Sequence, residues 1–167
     1  MKCLILATTL IYCSAASAAP VATAFSFASV QWGESIDQVE THLRASGLAF
    51  ESSAEKTLCK VRRHCTLTFD GQVSGNATFD KSGLIEVVIF SAPGTASDRL
   101  AKLIKQYGAP RVNPPTAPGP GFITRMDTGS HWLSPAGESI DLNTGTIRYT
   151  SAAANQQRAA QHPEIKF

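Results

Sequence analysis

Apolar positions follow the 3.6-residue period of a helix over a short stretch near residue 40. Ser35 and Gln38 before it have the spacing of a capping box, in which each side chain bonds the other residue's backbone amide. Gly47 is a natural left-handed stop. The pattern predicts a helix over 35–46. Its buried face is predicted to carry Ile36, Val39 and Leu43.

The same signals predict a second helix over 96–107. Thr95 and Asp98 repeat the opening, and Gly108 with Pro110 ends the helix because neither residue favours its continuation. The apolar stripe of this helix consists of Leu100, Leu103, Ile104 and Tyr107.

Between and after the helices the apolar period changes to two, which is typical of strands with one buried face. Asp70-Gly71 and Lys81-Ser82-Gly83 lie where tight turns would join three strands into an antiparallel meander. Those strands are expected at 65–69, 73–79 and 84–90. A second set is expected after the second helix, at 121–126, 131–134, 139–142 and 146–150.

Each half of the chain therefore has the same order, a helix followed by antiparallel strands, which predicts an α+β fold built from two related units. The units are expected to span about 25–91 and 95–151, with their helices packed on one face of the sheet. Together they form a single predicted domain over 19–151. The Ala- and Gln-rich tail, 152–167, is expected to contain a short helix before Pro163.

The first eighteen residues have the pattern of a secretory signal peptide. Lys2 gives a positive start, an apolar run follows, and Ala16-Ser17-Ala18 suits cleavage before Ala19. We therefore expect an exported protein, periplasmic or secreted, and the short leader favours a bacterial source. The alternative is a lipoprotein signal with Cys13 as the lipid-bearing residue, although the bulky Tyr12 before it fits that processing poorly.

Charge argues against a nucleic-acid surface. The chain has 15 basic and 13 acidic side chains, and removal of residues 1–18 takes away only Lys2, which leaves a net charge of +1 with neutral histidines. A nearly balanced charge gives no long-range attraction for a polyanion. After the leader, the sequence has no apolar run near the roughly 20 residues that span a bilayer, so no transmembrane segment is expected.

Two cysteines lie beyond the leader, Cys59 and Cys65. In an oxidising compartment so close a pair is most simply a disulfide that closes a short loop. The rival interpretation is a metal site using Cys59, His64 and Cys65, but this spacing matches no zinc knuckle and the sequence offers no second ligand cluster. We therefore expect no metal and no cofactor.

No sequence motif assigns a catalytic residue. The chain lacks Gly-x-Ser-x-Gly and a phosphate-binding glycine loop, although a triad assembled only in space would leave no such trace. His131 could meet Asp127 across a turn, and its place beside Trp132 equally suits the edge of a core. A hydrolase with a dispersed active site thus remains an alternative, and the expectation is a protein without catalytic activity.

The loop between the cysteines is the best functional candidate. It carries Lys60, Arg62, Arg63 and His64 in a short, constrained turn, which loses little entropy on docking and could enter an acidic cleft of another protein. The competing interpretation is that these charges only keep a hairpin tip solvated.

Two family resemblances bear on function. Val30-Gln31-Trp32-Gly33-Glu34-Ser35, with Val39 and Leu43 after it, resembles the opening of small bacterial envelope proteins, among them the small lipoprotein of the outer-membrane β-barrel assembly machinery and the β-lactamase inhibitory protein. Tyr107-Gly108-Ala109-Pro110 is similar to a helix end in such units. The resemblance implies helices on one face of an antiparallel sheet, and a role in envelope assembly or in inhibition.

The stretch from Leu58 to Cys65 resembles bacterial inhibitors of vertebrate-type lysozyme, in which a short disulfide loop enters the enzyme's acidic cleft. That likeness implies His64, with Lys60 and the two arginines, as the inhibitory contact. This loop is one residue longer than the family's, and Val61 replaces a proline. The function expected from the sequence is a binding module for another protein, an inhibitor or immunity protein against an envelope-directed enzyme, with an envelope structural or assembly role as the alternative.

Overall fold

The computed structural model of the protein describes residues 25, 27–112 and 129–161. Within these ranges the chain forms four helices and eight strands. The helices are α1 (Ile36–Ala45), α2 (Ser53–Cys59), α3 (Ala96–Tyr107) and α4 (Ala152–Gln161). The strands are β1 (Ala49–Phe50), β2 (His64–Asp70), β3 (Ser74–Asp80), β4 (Gly83–Ser91), β5 (Arg111–Val112), β6 (Ser130–Leu133), β7 (Ser139–Asn143) and β8 (Thr146–Thr150).

All eight strands join one antiparallel sheet in the order β1-β2-β3-β4-β8-β7-β6-β5. The two four-stranded halves meet through their last strands, where Glu86 of β4 lies opposite Thr150 of β8 and Ile89 lies opposite Ile147. This architecture confirms the predicted α+β class. A duplication of one unit stays a prediction.

The predicted helices begin and end where the sequence signals lie. Ser35 and Thr95 both form complete capping boxes, with Gln38 and Asp98 as their partners. Behind α1 the amides of Gly47 and Leu48 bond back to the carbonyls of Arg44 and Leu43, the arrangement that a left-handed glycine permits. The tail also forms its predicted helix, α4.

Three short elements were not predicted, namely α2, β1 and β5. Cys59 is the only buried residue in α2, so the sequence carries no apolar stripe there. Strands β1 and β5 are each two residues long, which is too short for an alternation of apolar and polar residues to be recognised. The predicted leader, the strand at 121–126 and the end of the tail lie outside the described residues.

The sheet has a core face and a polar face. Along β2 the buried Cys65, Leu67 and Phe69 alternate with His64, Thr66 and Thr68, which are exposed or half-buried. The first set joins a core that contains the buried residues of α1 and also Leu103 of α3. Helix α4 lies across the polar face, where Asn155 bonds Ser139 and Arg158 pairs with Glu86.

Candidate binding site: a basic hollow beside the disulfide

The disulfide joins the end of α2 to the start of β2. Cys59 is the last residue of α2 and Cys65 the second of β2, and their Cα atoms lie 5.5 Å apart, within the usual range for a disulfide. Both cysteines are buried. The four residues that connect the elements, 60–63, form what we call the disulfide turn, in which the Arg62 amide donates to the carbonyl of Cys59 at 3.1 Å.

Two ion pairs fasten α2 and this turn to α1. Lys60 Nζ lies 2.7 Å from Asp37 Oδ2, and Lys56 Nζ lies 2.5 Å from Glu40 Oε2. The hydrogen bond from Lys60 holds the pKa of Asp37 below its ordinary value, and that from Lys56 does the same for Glu40. Lys60 is therefore already engaged by its own protein.

Arg62 and Arg63 in the turn are exposed, and so is Lys81 in the turn between β3 and β4. In the described part of the chain none of the three cations has an ion-pair partner within 4.0 Å. Together with Lys60 they line a cavity of about 520 Å³, which we call the basic hollow. Asp37 and Asp80 also line it, so cations outnumber carboxylates there by four to two.

Buried apolar groups lie at the base of the basic hollow. Ile36 and Phe79 line it together with both cysteines, and each of these four side chains is at most 9% exposed. The chain before α1 is fixed to the start of β4, because the Gly33 amide donates to the Leu84 carbonyl and the Leu84 amide donates to the Glu34 carbonyl, each at 2.9 Å. A Cβ at Gly83, which has a φ of 103°, would stand 2.2 Å from the Gly33 carbonyl oxygen. The backbone that borders the hollow therefore leaves no room for a side chain at Gly83.

The structure divides the four residues that the sequence singled out. Lys60, Arg62 and Arg63 line the basic hollow, but His64 faces the polar side of the sheet. There it lines a different cavity of about 560 Å³, between the sheet and α4. Thr66, Glu86 and Arg158 line the same cavity, and Glu86 is already paired with Arg158.

The two other histidines among the described residues have carboxylate partners. His131 Nδ1 lies 2.7 Å from Asp141 Oδ1, and His42 Nε2 lies 3.1 Å from Glu34 Oε1. Asp127, the partner expected for His131, is outside the described residues. A carboxylate on one ring nitrogen can orient an imidazole, but general-base chemistry also requires a reacting group at the other nitrogen.

The described residues also contain no group of three or more His, Cys, Asp or Glu side chains arranged to hold a metal ion. Cys59 and Cys65, two of the ligands in the rival metal interpretation, are bonded to each other. The residue that sequence reasoning missed is Lys81. Its position in a predicted tight turn indicated that it is exposed. That the turn lies next to the disulfide follows only from the register of β2, β3 and β4.

Comparison of the chain with protein-family models, with curated proteins and with solved structures finds no match. Among the described helices, none is both long and apolar enough to cross a bilayer. The two family resemblances noted from the sequence therefore stay predictions.

Proposed function

We propose that the protein is an exported binding module without catalytic activity, and that its basic hollow contacts an acidic region of a partner protein. The observation that carries this proposal is the set of three exposed cations, Arg62, Arg63 and Lys81, which have no ion-pair partner in the described part of the chain. Guanidinium groups bind carboxylates through two parallel hydrogen bonds, so two free arginines suit a protein carboxylate.

The fixed geometry of the hollow supports binding. The disulfide, the Lys60–Asp37 pair and the backbone bonds at Gly33 hold the surrounding chain in place before any partner arrives. A surface that is already ordered loses less conformational entropy on association. Complementary charge would also raise the rate of encounter with an acidic partner.

The proposal also includes export of the protein from the cytoplasm. A bonded cysteine pair persists in oxidising compartments, and the first eighteen residues have the pattern of a cleaved leader. We place the mature protein, from Ala19 onward, in the periplasm or outside the cell. The sharpest form of the proposal is an inhibitor or immunity protein against an envelope-directed enzyme.

Charge reversal tests the proposed contact. Immobilised mature protein should retain a partner from envelope extract, and Arg62→Glu with Arg63→Glu should lower the retained amount by about tenfold or more, since the loss of a charge pair at an interface costs at least about 1.4 kcal/mol. Lys102→Glu with Lys105→Glu, two exposed positions on α3, is the matched control. Equal retention by both double variants would contradict the proposal, and so would the absence of any retained partner.

The inhibitor form has its own assay. If lysozyme is the target, the mature protein at micromolar concentration should slow lysis of bacterial cell walls by lysozyme, and the Arg62→Glu, Arg63→Glu variant should not. Unchanged lysis in the presence of the wild-type protein would remove lysozyme as the target.

A further inference from the structure

The cations beside the disulfide line a depression, and this shape decides which partner element fits. The sequence alone suggested a protruding turn that enters a cleft in another protein. The structure instead places Arg62, Arg63 and Lys81 around one hollow, supplied by two separate turns. The hollow is open to solvent rather than enclosed, and its volume of about 520 Å³ lies within the roughly 300–1,000 Å³ of ligand sites.

The lining of the hollow has an apolar region and a cationic region. The apolar region consists of Ile36, Phe79, the disulfide and the exposed Val61, and the free cations lie at exposed positions. An occupant that complements both regions has an apolar side chain with carboxylates next to it. Because the lining has two more cations than carboxylates, two carboxylates on the occupant would balance its charge.

We infer that the partner inserts a projecting acidic peptide segment, with one apolar side chain between carboxylates, into the basic hollow, so that this protein is the receiving surface. The inference rests on the proposed function and reverses the direction of insertion expected from the sequence. Lys81 separates the two directions. A cleft that received only the disulfide turn would contact Arg62 and Arg63, whereas a segment inside the hollow also meets the β3–β4 turn that carries Lys81.

Peptide binding tests this inference directly. A fluorescein-labelled peptide with a leucine between pairs of glutamates should bind the mature protein, as measured by fluorescence anisotropy. The same peptide with glutamines for glutamates, or with glycine for leucine, should bind about tenfold more weakly or worse, because each change removes one of the two complementary features. Free glutamate as a competitor distinguishes recognition of the segment from recognition of any carboxylate.

Three variants locate the binding. Lys81→Gln and Arg62→Gln should each weaken the glutamate peptide several-fold, and Lys105→Gln on α3, the matched control, should not. All three residues are exposed, so urea unfolding should show that each variant is as stable as the wild-type protein.

Failure of the inference is distinguishable from failure of the proposed function. Retention of a partner that depends on Arg62 and Arg63 but not on Lys81 would overturn insertion into the hollow and leave the binding module intact. Equal binding of the glutamate and glutamine peptides, or full displacement by free glutamate, would also overturn it. If envelope extract yields no partner, the proposed function fails, and peptide binding that is lost with Lys81→Gln would then show only that the hollow accepts such a segment.

Discussion

Helices α1 and α3 begin and end alike but are attached to the sheet differently. Each starts with a complete capping box, and each is followed by a glycine with positive φ, 73° at Gly47 and 83° at Gly108. Helix α1 buries three residues, whereas Leu103 is the only buried residue of α3. Ile104, part of the predicted apolar stripe of α3, is 41% exposed. Local signals therefore decide where a helix lies, and its neighbours decide how much of it is buried.

The elements that contact the two helices also differ. Helix α1 is paired with α2 through Glu40 and with the disulfide turn through Asp37, and α2 is covalently linked to β2. The end of α3 is held by a hydrogen bond from Trp132 Nε1 to the Gly108 carbonyl, at 2.9 Å, and by an edge contact between the rings of Tyr107 and Phe25. The basic hollow lies beside the helix with more buried residues and more cross-links, which suits a surface that binds without rearranging.

Truncation of one leucine in each helix should give the largest losses of stability and a clear difference between α1 and α3. Leu43→Ala in α1 should lower the free energy of unfolding by about 3–5 kcal/mol and Leu103→Ala in α3 by about 2–3 kcal/mol, since a less enclosed site collapses more readily around the cavity. Urea unfolding followed by circular dichroism measures both losses. An equal or larger loss at Leu103 would show that α3 is packed as firmly as α1.

Removal of the disulfide should have the next largest effect. Cys59→Ala with Cys65→Ala opens a loop with a sequence separation of 6, for which the chain-entropy treatment gives a loss of about 2 kcal/mol. Thermal unfolding should show a lower midpoint for the variant, and reductant should lower the wild-type midpoint by a similar amount without affecting the variant. A wild-type midpoint that reductant leaves unchanged would mean that the bond contributes little to stability.

These elements differ in how far the sequence could predict them. The two capping boxes, the apolar stripe of α1 and the period-two strands are local patterns. Among the described residues the structure confirms both helices and the hairpins that join β2 to β4 and β6 to β8. Helix α2 was not predicted because six of its seven residues are not buried. Its position depends on the ion pairs of Lys56 and Lys60 with α1 and on the disulfide. Contacts between separate elements produce no periodic pattern of residues that could be recognised in the sequence.

The candidate site shows the same limit. The basic residues and the cysteine pair were recognisable from the sequence, whereas the contribution of Lys81 depends on strand register. His64 could have been placed better, because in a strand of period two the residue beside the inward-facing Cys65 must point to the opposite face. The sequence thus indicated the residues of the site, but not the shape they form.

The smallest expected effect concerns the ion pair between α1 and α2. The hydrogen bond from Lys56 lowers the pKa of Glu40 from its ordinary 4.5, so the pair adds stability above that pH and loses it as the pH falls through the lowered pKa. Lys56→Met should therefore lower stability by less than about 1 kcal/mol at neutral pH, because the pair lies near the surface.

Urea unfolding over a pH series should show that this difference from the wild-type protein disappears well below pH 4.5, where Glu40 is protonated in both proteins. High salt at neutral pH should shrink it too. Lys105→Met on α3 is the matched control, since Lys105 is exposed and has no partner within 4.0 Å among the described residues. Because methionine keeps the apolar length of the lysine side chain, a difference that persisted unchanged in acid would mean that Lys56 does not act through its pairing with Glu40, and this ion pair would then contribute nothing to the contrast between α1 and α3.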